Sequence, residues 1–152
     1  MPDSCPTWDL TDLYADIGDA SIKADIEACR SSANGLAANW QGKLKIAEGA
    51  ELAAVINEYQ RITEILGKAA SHAQLEFAAN TTDPDIARHH QSIREAGAEI
   101  GAALLFIELE LARLPQDRMN TLLEVPALAH WAPWFRRVRA WAPHMLAPDM
   151  ER

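Results

Sequence analysis

Five histidines, His72, His89, His90, His130 and His144, are the side chains here best suited to holding a metal or moving a proton. None of them begins an H-E-x-x-H, the helical spacing that sets two zinc ligands and a general base on one face. His72 and Glu76 stand one helical turn apart and read as a solvated, hydrogen-bonded pair. His89 and His90 are adjacent, so a helix points them about 100° apart and away from a shared ion. His90 falls on an apolar stripe and reads as a hydrogen-bonded histidine of a helix–helix interface. Glu110 can pair at the surface with Arg113. Glu108 interrupts an apolar run and is expected to turn inward toward a cation, such as an arginine of 136–139. The two cysteines, Cys5 and Cys29, make no disulfide framework and no zinc spacing, and read as reduced thiols. No nucleophile stands beside a base and no glycine-rich loop could cradle a phosphate. The residues themselves assign no catalytic and no metal site.

The elements that would position these groups are helices. Residues 1–18 form an irregular, acidic lead-in, after which Asp19 is suited to cap a helix. Ile22, Ile26, Cys29, Ala33, Leu36 and Trp40 follow at steps of four and three, one stripe of a helix. Gly42 and Gly49 bracket a loop. A second helix, from about Ala50 to Ala79, carries Leu52, Val55, Tyr59, Ile62, Leu66, Ala69 and Ala73 on one face. Asn80-Thr81-Thr82-Asp83-Pro84 is a break, with Asn80 suited to the left-handed conformation and Thr82 or Asp83 to capping the next helix. The third helix, Asp83 to Leu114, alternates steps of four and three and would extend about 48 Å at ~1.5 Å per residue. The second and third therefore pair as a long antiparallel hairpin. Gly67 and Ala70 come opposite Ala96 and Gly97, where small residues would allow close approach. Gly97-x-x-x-Gly101 reads the same way. Pro115 ends the third helix, Gln116–Glu124 is a short helix, and Pro126 opens a last one running through Trp141 to Pro143. The predicted fold class is all-α, a helical bundle built around the long hairpin.

Net charge is −8 and the pI about 5.0, which argues against nucleic acid as a partner. No basic tract suits an anionic membrane, and the apolar residues of 102–114 are too interrupted and too few to span one. With no secretory signal visible at the N-terminus, a cytoplasmic location is expected.

The tryptophans are unusual in their placement. Trp131, Trp134 and Phe135 stand at i, i+3 and i+4, with Trp141 beyond and Arg136, Arg137 and Arg139 interleaved. An aromatic stripe facing the core, with the arginines solvated, is the plain reading. The other is an aromatic surface that docks on another domain or chain.

Three segments together resemble a known family. Trp8-Asp9-Leu10-Thr11-Asp12-Leu13-Tyr14 is similar to the W-D-L-[ST]-D-L-Y signature near the start of the oligoendopeptidase F family of M3 zinc metallopeptidases. Leu105-Phe106-Ile107-Glu108-Leu109-Glu110-Leu111 resembles the family's helix with the L-E-l pattern. Trp134-Phe135-Arg136-Arg137-Val138-Arg139, running through Pro143-His144-Met145-Leu146-Ala147-Pro148-Asp149-Met150-Glu151, resembles its y-l-r-x-l-r … p-H-x-L-s stretch, with tryptophans where tyrosines are usual.

The resemblance implies the N-terminal helical lobe of such a peptidase, spanning 19–152, a wall of the channel that admits short peptides. It implies zinc for the full-length parent and no cofactor in this chain, since the parent's H-E-x-x-H lies in a catalytic domain that is not part of this sequence. The helix-start signal at Pro148, Asp149 and Glu151 then reads as a cut edge. The expected partner is that catalytic domain. Trp40, Trp131, Trp134, Phe135, Arg136 and Trp141 are the candidates for the domain interface or for self-association through exposed apolar surface. The rival reading is a stand-alone helical interaction module, which would bury Trp131, Trp134 and Trp141 within the chain and leave Pro148–Arg152 as a disordered tail.

Overall fold

The computed structural model describes residues 8–144. Among them are six α-helices and no β-strand: α1 (Ala20–Trp40), α2 (Gly49–Ala79), α3 (Pro84–Ala112), α4 (Gln116–Leu123), α5 (Pro126–Ala129) and α6 (Ala132–Trp141), followed by a 3-10 turn at Ala142–His144. The all-α bundle expected from the periodicity is what forms.

The helix starts follow from their caps. Asp19 accepts from the Ser21 backbone N–H (2.9 Å) and also from that of Ala15 (3.0 Å), and these donors hold its carboxyl down at about 2. Glu48 and Glu51 close a reciprocal capping box on α2. Asp83 caps α3 through the Asp85 and Ile86 N–H groups, with Pro84 in the first turn. Asn80 does not take the left-handed conformation expected of it. Its φ is −144°, and Gly42 alone among the described residues has a positive φ, at 82°.

Cross-helix partners set the directions. Cys29 Sγ approaches the Ile62 carbonyl and Arg61 donates to Ser32 Oγ, so α1 and α2 are antiparallel. Tyr59–Glu108 and Gln74–His90 pair across α2 and α3 with opposite sequence trends. Arg30–Glu99 and Gly42–Glu110 keep a constant offset, so α1 and α3 run parallel. The result is an up-down-up bundle whose long members extend about 46 Å and 44 Å at ~1.5 Å per residue. Its core is the stripe of Ile22, Ile26, Cys29, Ala33 and Leu36 against Leu52, Val55, Ile56 and Ile62 and against Ile93, Ile100, Leu104 and Ile107.

Two expectations fail for steric reasons. The glycines of α2 and α3 do not mediate close approach, because a Cβ built at Gly67, Gly97 or Gly101 meets nothing within 4 Å. Ala69, Ala73 and Ala96 are the small residues buried there. Gly49 is instead the one that matters for space, since a Cβ on it would run into Val125. The last helix is also not continuous. Pro133 lacks an N–H and its ring excludes the carbonyl of the turn before it, so α5 ends and α6 restarts after Trp131.

The short helices close one end of the bundle. Arg118 of α4 donates to the Ala47 carbonyl, and Arg139 of α6 donates to the Leu114 carbonyl just past the end of α3. No helix among the described residues is long and apolar enough to cross a membrane. The Pro148–Glu151 helix-start signal and Cys5 lie outside the described residues.

Candidate functional site

The aromatic residues of α6 meet the α2–α3 hairpin at one place. Phe135 is fully buried and anchors α6 on the core. Having been assigned by its spacing to a docking surface, it belongs inside, because the helix restart at Pro133 turns its ring directly onto the bundle. Trp134, half-buried, stands 5.7 Å from the Tyr59 ring and 5.8 Å from Trp131. Trp131 is half-buried as well, its indole Nε1 shielded and without a hydrogen-bond partner among the described residues. Arg136 is exposed and Trp141 is 63% exposed. Trp40, at the end of α1, is half-buried and packs on the core. The six candidates thus divide: Trp131, Trp134, Arg136 and Trp141 lie on or near α6, Trp40 sits at the end of a different helix, and Phe135 is interior.

The carboxylates interrupting the apolar run of α3 find partners that spacing did not reveal. Glu108 accepts the Tyr59 hydroxyl hydrogen at 3.0 Å. Its expected arginine partner is replaced by a tyrosine, with Arg137 close enough to act on the Tyr59 phenol electrostatically. Burial first, and then the Glu108 charge, push that phenol above the usual tyrosine range. Beside this pair, Leu66, Gly101 and Leu104 line a shallow recess with the exposed Leu105 at its rim. Glu110, expected at the surface with Arg113, accepts from the backbone N–H groups of Gly42 (2.5 Å) and Leu44 (3.1 Å). It ties the α1–α2 turn to α3 and seats Leu44, which is fully buried.

The histidines also depart from expectation. His72 is not solvated. It is fully buried, and its Nε2 is 3.9 Å from Glu76 Oε1, with no hydrogen-bond partner on either ring nitrogen among the described residues. Its place on the buried face beside Ala69 and Ala73 is the signal that could have shown this. His90 stacks on Phe77 at 4.8 Å and reaches Gln74 at 3.1 Å, as an interface histidine should. His89 turns the other way, toward His72. His130 is exposed.

Among the described residues no three His, Cys, Asp or Glu side chains stand where they could hold a metal ion. Cys29 is buried, and burial pushes its thiol up, which disfavours the thiolate.

Comparison with known proteins gives one finding. Residues 110–152 match a family model of the M3 peptidase N-terminal region, described as Oligopeptidase F. No curated protein and no solved structure matches the chain. The matched segment begins at Glu110 and takes in α4, α5 and α6, the part that carries Trp131, Trp134 and Trp141. Over residues 110–152, less than a third of its length, the chain is similar to the N-terminal region of the oligopeptidase F family of M3 peptidases.

Proposed function

We propose that this chain is the N-terminal, channel-wall lobe of an oligoendopeptidase F-like zinc metalloendopeptidase that hydrolyses short peptides, and that it does no chemistry alone. The family match over residues 110–152 is the observation that carries this reading. The helical architecture agrees with a lobe, and the sequence holds no H-E-x-x-H, so zinc and the water it activates would belong to a separate catalytic body.

Supporting the docking role is the aromatic surface of α6. A self-contained interaction module would bury its tryptophans, whereas Trp141 is 63% exposed and Leu105 45% exposed. The catalytic body would cover this surface, burying Trp141 and the outer faces of Trp131 and Trp134. Without that body, the same apolar surface favours association of the chain with itself.

Reading the genomic frame beyond codon 152 tests the proposal. A frame that continues into H-E-x-x-H supports the peptidase lobe. A stop codon at that point, with no H-E-x-x-H partner encoded alongside, contradicts it.

A further inference from the structure

A cluster at the other end of the hairpin has no part in this docking role. Tyr14, from the lead-in Trp8–Asp19, is buried with its ring edge-on to His72, centroids 5.5 Å apart. His72 in turn faces His89 at 6.3 Å. Neither nitrogen of His72, nor Nε2 of His89, has a hydrogen-bond partner among the described residues. The His72 ring is thus packed with its nitrogens unpaired, and a charge set beside it would meet little compensation.

The charged and titratable groups around the pair come from every element packed on it. Around Tyr14 stand Asp19 of the lead-in and Asp25 and Cys29 of α1, with Asp25 accepting the Tyr14 hydroxyl at 2.8 Å, while Lys23, Glu27 and Arg30 of α1 and Glu95 and Glu99 of α3 line the same groove as His89. From α2 come Lys68, its Nζ 4.0 Å above the Tyr14 ring, and Glu76, 3.9 Å from His72. From α3 comes His90.

We propose that the Tyr14–His72–His89 stack is a proton-operated latch on the lead-in: a proton on His89 sets a charge against the buried His72 ring and unseats Tyr14. Ile17 and Gly18 of the lead-in line a groove of about 610 Å³ together with His89 and with Ile22, Ile26 and Ile93 of α1 and α3. Release of Tyr14 frees the lead-in side of that groove.

The direction of the pH effect follows from the environment. Burial first, and then His72, hold His89 below the usual histidine value, so the opened form takes up the proton more readily than the closed one. The latch is therefore fully closed above about pH 6.5 and loosens as pH falls below it. The Asp19 cap, held at about 2, keeps its charge throughout that range.

Hydrogen exchange on the full chain at about pH 7.5 and about pH 5.5, corrected for intrinsic rates, tests the latch in the histidine window. The Leu13, Tyr14 and Asp19 amides, all hydrogen-bonded within the lead-in, report on it. Their protection is expected to fall roughly tenfold for each pH unit over which one proton is linked to opening. In His89→Gln, which removes the ring that takes up the proton, the fall should be largely abolished. Unchanged protection in the wild-type chain, or an equal fall in this variant, overturns the proposal. Should the variant fail to fold, ring NMR of the wild type decides. Imidazole protonation accompanied by loss of the Tyr14 ring-current shifts supports the latch, and protonation with Tyr14 undisturbed refutes it.

Discussion

Tyr59 on α2 donates its hydroxyl hydrogen to Glu108 on α3 across 3.0 Å, and Trp134 of α6 leans on the same tyrosine ring at 5.7 Å. The hairpin and α6 are thus registered through one side chain. Tyr59→Phe should cost roughly 1 kcal/mol in urea unfolding, a modest loss because the half-exposed Glu108 can turn to water. The pH dependence has a definite sign. Burial and Glu108 raise the Tyr59 phenol, and burial and Asp25 raise that of Tyr14, so the stability they contribute is complete below about pH 10 and is lost as pH rises beyond it. The phenylalanine variant should show a shallower alkaline decline.

Glu110 holds the turn after α1 through two backbone donors. Glu110→Ala leaves the Gly42 and Leu44 N–H groups without that carboxylate and is expected to destabilise by about 1–2 kcal/mol in denaturant unfolding. Gly42→Ala should cost about 1 kcal/mol by itself, because its φ of 82° strains any side chain.

Alanine at Gly67, Gly97 or Gly101 should stabilise the chain. Each lies inside a long helix with nothing within 4 Å of the added methyl, so each replacement should gain about 0.5–1 kcal/mol and raise the thermal midpoint. A loss instead would mean that the two backbones approach more closely than described above.

Phe135 and Trp141 lie on one short helix and should respond oppositely. Phe135→Ala removes a fully buried ring and is expected to cost about 3–5 kcal/mol. Trp141→Ala, at a largely exposed position, should change stability by no more than about 0.5 kcal/mol. Its effect should appear in sedimentation velocity, as weaker self-association at high protein concentration.

Periodicity and caps made most of the fold legible. The α1 stripe, the Asp83-Pro84 start of α3 and the long hairpin are set by local spacing and local hydrogen bonds, which a sequence displays directly. Partners brought together from distant positions were not legible. Glu110 meets Gly42, Glu108 meets Tyr59, and His72 meets both Tyr14 and His89 only after three helices assemble. His72 could have been suspected from its place beside Ala69 and Ala73, as Phe135 could from its spacing with Val138. The break between α5 and α6 had its signal in Pro133, outweighed by an unbroken aromatic periodicity. Glycine spacing was the least informative, because open helix surface and close contact select the same residue.

The central claim, that this lobe serves a peptidase body through its α6 surface, is tested most directly by reconstitution. The chain would be mixed with an oligopeptidase F catalytic body from which the N-terminal region has been removed, and binding and short-peptide hydrolysis followed together. The chain alone should cleave nothing. The mixture should form a stoichiometric complex and cleave faster than the body by itself, with Trp134→Ala and Trp141→Ala weakening both. Absence of binding, with hydrolysis unaltered by the chain, would contradict the account.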